Sequence, residues 1–208
     1  RQRQMCIRDR FLVYELTLAA FAILLVALLI VPETSQRVGF DSHRHMWRTL
    51  VPQASVPSAL QRLFLTAIPA FVATWSMGGL YLSLGSSVVA RVFGIANHGA
   101  AGAVLFVFFA SGAVTSLTIT AWGADTKLTF GYPALAGGAI ISLAGVLTSL
   151  LPLYIIGSII AGSGFAGTFL GALDSISDQT PPHQRGQVFS AVFITSYIAF
   201  SVPCLLYT

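Results

Sequence analysis

From Phe130 to about Leu173 the chain carries no charged residue. Built as one α-helix, at about 1.5 Å per residue, this run would be roughly twice as long as the ~30 Å hydrocarbon core of a bilayer is thick. It must therefore fold back once on itself. Leu151-Pro152 is the expected break, because the residue before a proline is pushed out of the helical region. The run then reads as two membrane-crossing helices joined by a very tight turn. Their backbone polar groups are satisfied within each helix, as lipid demands.

Composition supports a bilayer as the solvent. Of 208 residues, 55% are hydrophobic and 9% charged, and the mean hydropathy is +0.80, whereas a soluble domain carries about 25% charge. Eleven Lys and Arg plus seven Asp and Glu are too few to cover a soluble fold of this length. The net charge of +4 suggests a nucleic-acid partner only until the charges are located. Arg1, Arg3, Arg8 and Arg10 sit in the opening RQRQMCIRDR, which resembles translated sequencing-adaptor read-through, as does CLLYT at 204–208. The alternative for the opening is a juxtamembrane basic segment. With residues 1–10 set aside as an artefact, seven bases face six acids, and no nucleic-acid partner is expected. Cys6 and Cys204, the two cysteines, both lie in these ends, so neither a disulfide framework nor a thiolate metal site is argued.

Four further runs complete the pattern. Residues 11–31 form the first span; a signal peptide would have a shorter apolar centre, about 7 to 15 residues, and a small-residue cleavage site. Residues 32–62 are a polar linker, PETSQRVGFDSHRHMWRTLVPQASVPSALQR. Leu63 to about Val89 is the second span, expected to bend at Pro69 and at the pair Gly78 and Gly79. Gly99 to about Ala121 is the third, Phe130 to Leu173 supplies the fourth and fifth, and a sixth starts at Val188. Small residues recur at helical spacing in span four (Ala134, Gly138, Ser142, Gly145, Ser149) and span five (Ser163, Gly167, Gly171), stripes that let membrane helices approach closely. With the first span running inward, Arg37, Arg44, Arg48, Arg62, Lys127 and Arg185 fall on the cytoplasmic side and Arg91 outside, a positive-inside distribution.

Six spans, cytoplasmic polar loops after the first, third and fifth, and a long linker opening with Pro-Glu-Thr directly after a helix resemble the second half of a major facilitator superfamily transporter. Two turns carry the resemblance further. WGADTK places Asp125 where the family's Gly-x-x-x-Asp-Arg pattern has its acid, although Thr126 replaces the arginine, Lys127 comes one residue late and Ala121 replaces the leading glycine. PPHQRGQ supplies Pro182, Arg185 and Gly186 for the family's Pro, basic residue and Gly. The segment GGLYLSLG, Gly78 to Gly85, also looks like drug-efflux members. The implied fold is all-α and integral to the membrane: six transmembrane helices forming an incomplete half of a twelve-helix fold. Residues 11–31 are then helix six, 32–62 the linker between halves and 63–203 helices seven to eleven, with the N-terminal half of the same protein as the missing partner. The implied activity is secondary transport by alternating access, an efflux permease of the inner (plasma) membrane coupled to a proton. Uptake of a sugar or organic acid, or a non-transporting membrane receptor or enzyme, is the alternative.

Candidate residues follow. Glu15 is the one acid inside a span, and charge at membrane depth marks a polar pathway by default; it also lies near the external end, where it reaches water. Trp75 and Tyr81 flank the Gly-Gly pair and have rings with one polar handle, which suit a cavity for small apolar cargo; ordinary packing is the competing reading. Asp125 and Arg185 stand at cytoplasmic helix ends and read as gate residues. His43 and His45 form a His-x-His without a third ligand, so no metal is expected, and no cofactor either. Walker, Gly-x-Ser-x-Gly and His-Glu-x-x-His patterns do not occur in the sequence, which removes the motif basis for an ATP-driven pump or a membrane hydrolase. The absence of Lys or Arg at mid-span favours neutral or cationic cargo over anionic. The expected partners are thus a small-molecule substrate, membrane lipid and a coupling proton.

Overall fold

The computed structural model describes residues 2–31, 56–95 and 97–207. The linker from Pro32 through Ser55, with His43, His45, Arg37, Arg44 and Arg48, lies outside the described residues. The chain divides into two units, Arg1–Leu50 and Val51–Thr208. In the first, α1 spans Gln2–Ile30. It begins nine residues before the expected start at Phe11, because the arginine-rich opening continues the helix.

The second unit is a bundle of five helices: α2 Gln61–Arg91, α3 His98–Thr118, α4 Ala124–Leu147, α5 Leu151–Gln179 and α6 Arg185–Tyr207. Single 3₁₀ turns, Ser58–Leu60 and Pro182–Gln184, lead into α2 and α6. Among the described residues these five helices are long and apolar enough to cross a membrane. In α1 the apolar part among the residues whose side chains are described is Tyr14–Ile30. No strand occurs among the described residues.

The fold-back within the apolar run occurs at 148–150, directly before the expected break at Leu151-Pro152. After α4 ends at Leu147, the Leu150 N–H donates to Gly145 O at 2.9 Å and the Ser149 N–H to Val146 O at 3.2 Å. Ser149 adopts φ 54°. This is the Schellman arrangement, in which a left-handed residue just past the cap lets two late carbonyls be satisfied. Pro152 sits in the first turn of α5, where its missing N–H costs nothing because first-turn donors have no intrahelical acceptor.

The α4–α5 hairpin is held by backbone proximity. A Cβ built on Gly145 would lie 2.5 Å from Tyr154 N, and one on Gly138 would strike the backbone of Ala161. Gly157 faces Ser142, Gly164 faces Leu135, Gly131 faces Thr168 and Gly171 faces Leu128. The stripe expected on span four is therefore used through Gly138, Ser142 and Gly145. In span five the contacting face is Gly157, Ala161, Gly164, Gly167, Thr168 and Gly171, so Gly167 and Gly171 of the expected stripe are used, while the Ser163 hydroxyl donates to Ile159 O of its own helix. Every third or fourth residue shares a face, and the expected and observed registers overlap at Gly167 and Gly171.

Helix α2 ties the bundle together. Its first half packs Phe64, Ala67 and Phe71 against Ala172 and Ile176 of α5 and Val188 and Val192 of α6. Its second half packs Tyr81 and Val89 against Ala101, Val104 and Phe108 of α3 and Tyr154 and Ala161 of α5. The helix is continuous through Pro69 and the Gly pair. Gly79 admits the α6 backbone: a Cβ there would lie 2.6 Å from Phe200 O.

Candidate substrate pathway and gate

Trp75 lies where α2, α5 and α6 meet. Its ring centroid is 5.9 Å from Phe169, 5.4 Å from Tyr197 and 6.0 Å from Phe200, in edge-to-face or tilted arrangements that suit the opposite charge of ring faces and edges. Phe71 adds a further edge contact to Phe169 at 5.9 Å, and Phe165 stacks on Phe169 at 6.3 Å. The indole N–H of Trp75 is buried with no hydrogen-bond partner among the described residues. Ser76 of α2 donates to Ala199 O of α6 at 3.2 Å, which fixes the helix carrying Trp75 against the helix carrying Tyr197.

Beyond Phe165 and Phe169 the ring-lined wall continues into a groove of about 200 Å³ between α3 and α5. Phe108, Phe109, Ala113, Ser116, Phe165 and Phe169 line it, and none of its lining residues is charged. The sequence reading did not find this groove. Its signal was present: aromatic residues at 108, 109, 165 and 169 fall on facing sides of two helices whose backbones approach closely at Gly112 and Gly162.

Tyr81 occupies different surroundings. It is 5% exposed, its ring stacks on Phe108 at 4.2 Å, and its Oη lies 2.8 Å from Ser142 Oγ and 2.9 Å from Ser158 Oγ. The direction of each bond follows by elimination. Ser158 already donates its hydrogen to Tyr154 O at 2.7 Å, so it accepts from Tyr81, and Tyr81 in turn accepts from Ser142. A hydrogen-bond chain thus runs from α4 through α2 to α5, and aligned hydroxyls in such a chain strengthen one another. Trp75 and Tyr81, paired in the sequence reading by their closeness to the glycines, are separated by the structure into a ring cluster and a buried polar rivet.

Glu15 is exposed on α1. Asp125 is exposed in the first turn of α4, where a carboxylate is favoured by the helix dipole. Arg185 opens α6, and its Nε donates to Thr180 O at 3.3 Å. The structure does not bring these two together. Among the described residues the ion pair at this end joins Lys127 and Asp174, with Nζ 2.6 Å from Oδ2. The Lys127 side chain is 7% exposed and that of Asp174 37%. Sequence reasoning missed this pair although its signal was simple. Lys127 and Asp174 are the charges that bracket the uncharged run, and folding that run into an antiparallel hairpin brings its two ends together.

The fold alone leaves several bundle-forming membrane families open, and the sequence match decides among them. The family model described as Major Facilitator Superfamily matches residues 12–202. The chain belongs to the major facilitator superfamily. No curated protein and no solved structure matches it. As a member of this family the chain is part of a multi-pass membrane transporter, and the uncharged ring-lined face built by α2, α3, α5 and α6 is its candidate substrate pathway.

Proposed function

We propose that this chain supplies the C-terminal helices of a secondary transporter of the plasma membrane that exports small apolar or cationic molecules, with a proton as the exchanged ion. The observation that carries this reading is the continuous aromatic wall Phe108, Phe165, Phe169, Trp75, Tyr197 and Phe200, next to a groove with no charged lining residue. Ring faces attract cations and apolar groups and offer nothing to an anion. Trp75 contributes directly to the wall, Tyr81 holds the helices behind it, and Glu15 stands at the external end of its span as the proton-exchange candidate. Asp125 and Arg185 gate the cytoplasmic side by capping helix ends as the halves rock. The Lys127–Asp174 pair clasps the hairpin between them.

The test uses the complete transporter in inverted membrane vesicles with an acid interior. Tetraphenylphosphonium should accumulate, and collapse of the proton gradient should abolish accumulation. Asp125→Asn should change the rate while leaving affinity nearly intact, because a helix-end charge worth about 0.3 to 1 kcal/mol biases an inward/outward equilibrium without touching cargo. Gradient-driven uptake of a sugar or organic acid by right-side-out vesicles, with no movement of the phosphonium, would overturn the proposal.

A further inference from the structure

We infer that the α3–α5 groove binds a planar aromatic group carrying a hydrogen-bond donor, an aryl ammonium or aryl amine, and so defines a substrate class within the export reading on which this inference rests. Size comes first. The groove holds about 200 Å³, and an apolar cavity of about 150 Å³ accommodates benzene, so one ring or a fused pair fits within it.

Its walls specify shape. Phe165 and Phe169 lie nearly parallel, with an interplanar angle of 20°, while Phe108 meets Phe165 at 69° and Phe109 at 89°. A flat guest is thereby offered the accessible rings of Phe109, Phe165 and Phe169, held in place by the fully buried Phe108, in the face and edge arrangements that aromatic pairs prefer. Across from them the α3 wall thins to Gly112 and Ala113. A Cβ at Gly112 would lie 3.0 Å from Gly162 O, so the floor there is backbone.

Ser116 specifies polarity. Its hydroxyl already donates to Ala113 O at 2.7 Å, which spends its one hydrogen and leaves the oxygen free to accept. The groove therefore presents π faces and an acceptor. A protonated or neutral N–H is complementary to that set, and a carboxylate is not. A lipid acyl chain would fill space but use neither feature.

The test measures equilibrium binding of radiolabelled tryptamine to the complete transporter in detergent, with indole-3-propionate and hexylamine as competitors. Tryptamine should bind, and neither the anion nor the ringless amine should displace it at matched concentration. Ala113→Leu, at an exposed position on the groove wall, should weaken tryptamine binding on the order of tenfold or more by filling the slot. Ser116→Ala should weaken it about three- to tenfold, and Ser116→Thr should restore it. Size-exclusion profiles matching wild type confirm that the variants fold. Equal binding by wild type and both variants, or equal displacement by hexylamine, overturns the groove assignment even if tetraphenylphosphonium is exported. Groove-dependent tryptamine binding without any gradient-driven export keeps the site and removes the export reading.

Discussion

Removing one partner of the Lys127–Asp174 pair should have consequences that depend on which partner is removed. Lys127 is almost fully enclosed and Asp174 is partly open to water. Asp174→Asn leaves an ammonium at 7% exposure with its 2.6 Å partner gone. Breaking a fully buried pair in this way costs about 3 to 5 kcal/mol, and breaking an exposed one about 0.2 to 1 kcal/mol. With one partner enclosed and the other 37% exposed, about 2 kcal/mol is expected. Lys127→Met removes the enclosed charge and leaves a carboxylate that water can reach, for about 1 kcal/mol or less. The lysine also sits in the first turn of α4, where the helix dipole opposes a cation by about 0.3 to 1 kcal/mol, and the methionine is relieved of that. Combining the two changes removes both charges, so the double variant should be more stable than Asp174→Asn alone. The assay is a double-mutant cycle on the complete transporter in micelles, read as thermal or denaturant unfolding. Equal losses from the two single variants, or a double variant worse than either, would refute the assignment of the enclosed charge to Lys127.

Three further outcomes follow from the packing. Gly138→Ala should destabilise by about 1 to 3 kcal/mol because the new methyl meets the Ala161 backbone, whereas Gly137→Ala, with nothing within 4 Å, should be neutral or gain up to about 1 kcal/mol from helix propensity; unfolding midpoints of this adjacent pair check the register. Ser149→Gly should stabilise by up to about 1 kcal/mol by removing the side-chain penalty at φ 54°, also read as unfolding. Tyr81→Phe keeps the ring stack on Phe108 but interrupts the chain from Ser142 to Ser158, costing about 1 kcal/mol; a cycle with Ser142→Ala should show coupling, and strict additivity would remove the rivet.

What the sequence determined by itself was the class of fold. The charge-free run had to cross a bilayer twice, the breaks between spans lay at polar or turn-forming residues, and each expected span is covered by a helix, several of which run six to nine residues further at one end into polar sequence. Those features depend on local composition and on a solvent that forces helices, so they are readable without knowing any contact. The exact turn at Ser149 was less legible, because proline at 152 is compatible with a first turn as well as with a break. Which residues meet was decided by tertiary structure alone. Gly79 makes room for the backbone of Phe200, and Tyr81 is taken up by two serines far away in sequence while Trp75 joins rings from α5 and α6. The charge that Lys127 carries looked displaced by one position from a family pattern, yet the antiparallel register of α4 and α5 delivers it to Asp174. Spacing along one helix says which residues share a face; only the crossing of helices, set by how closely glycines let backbones approach, says what that face touches.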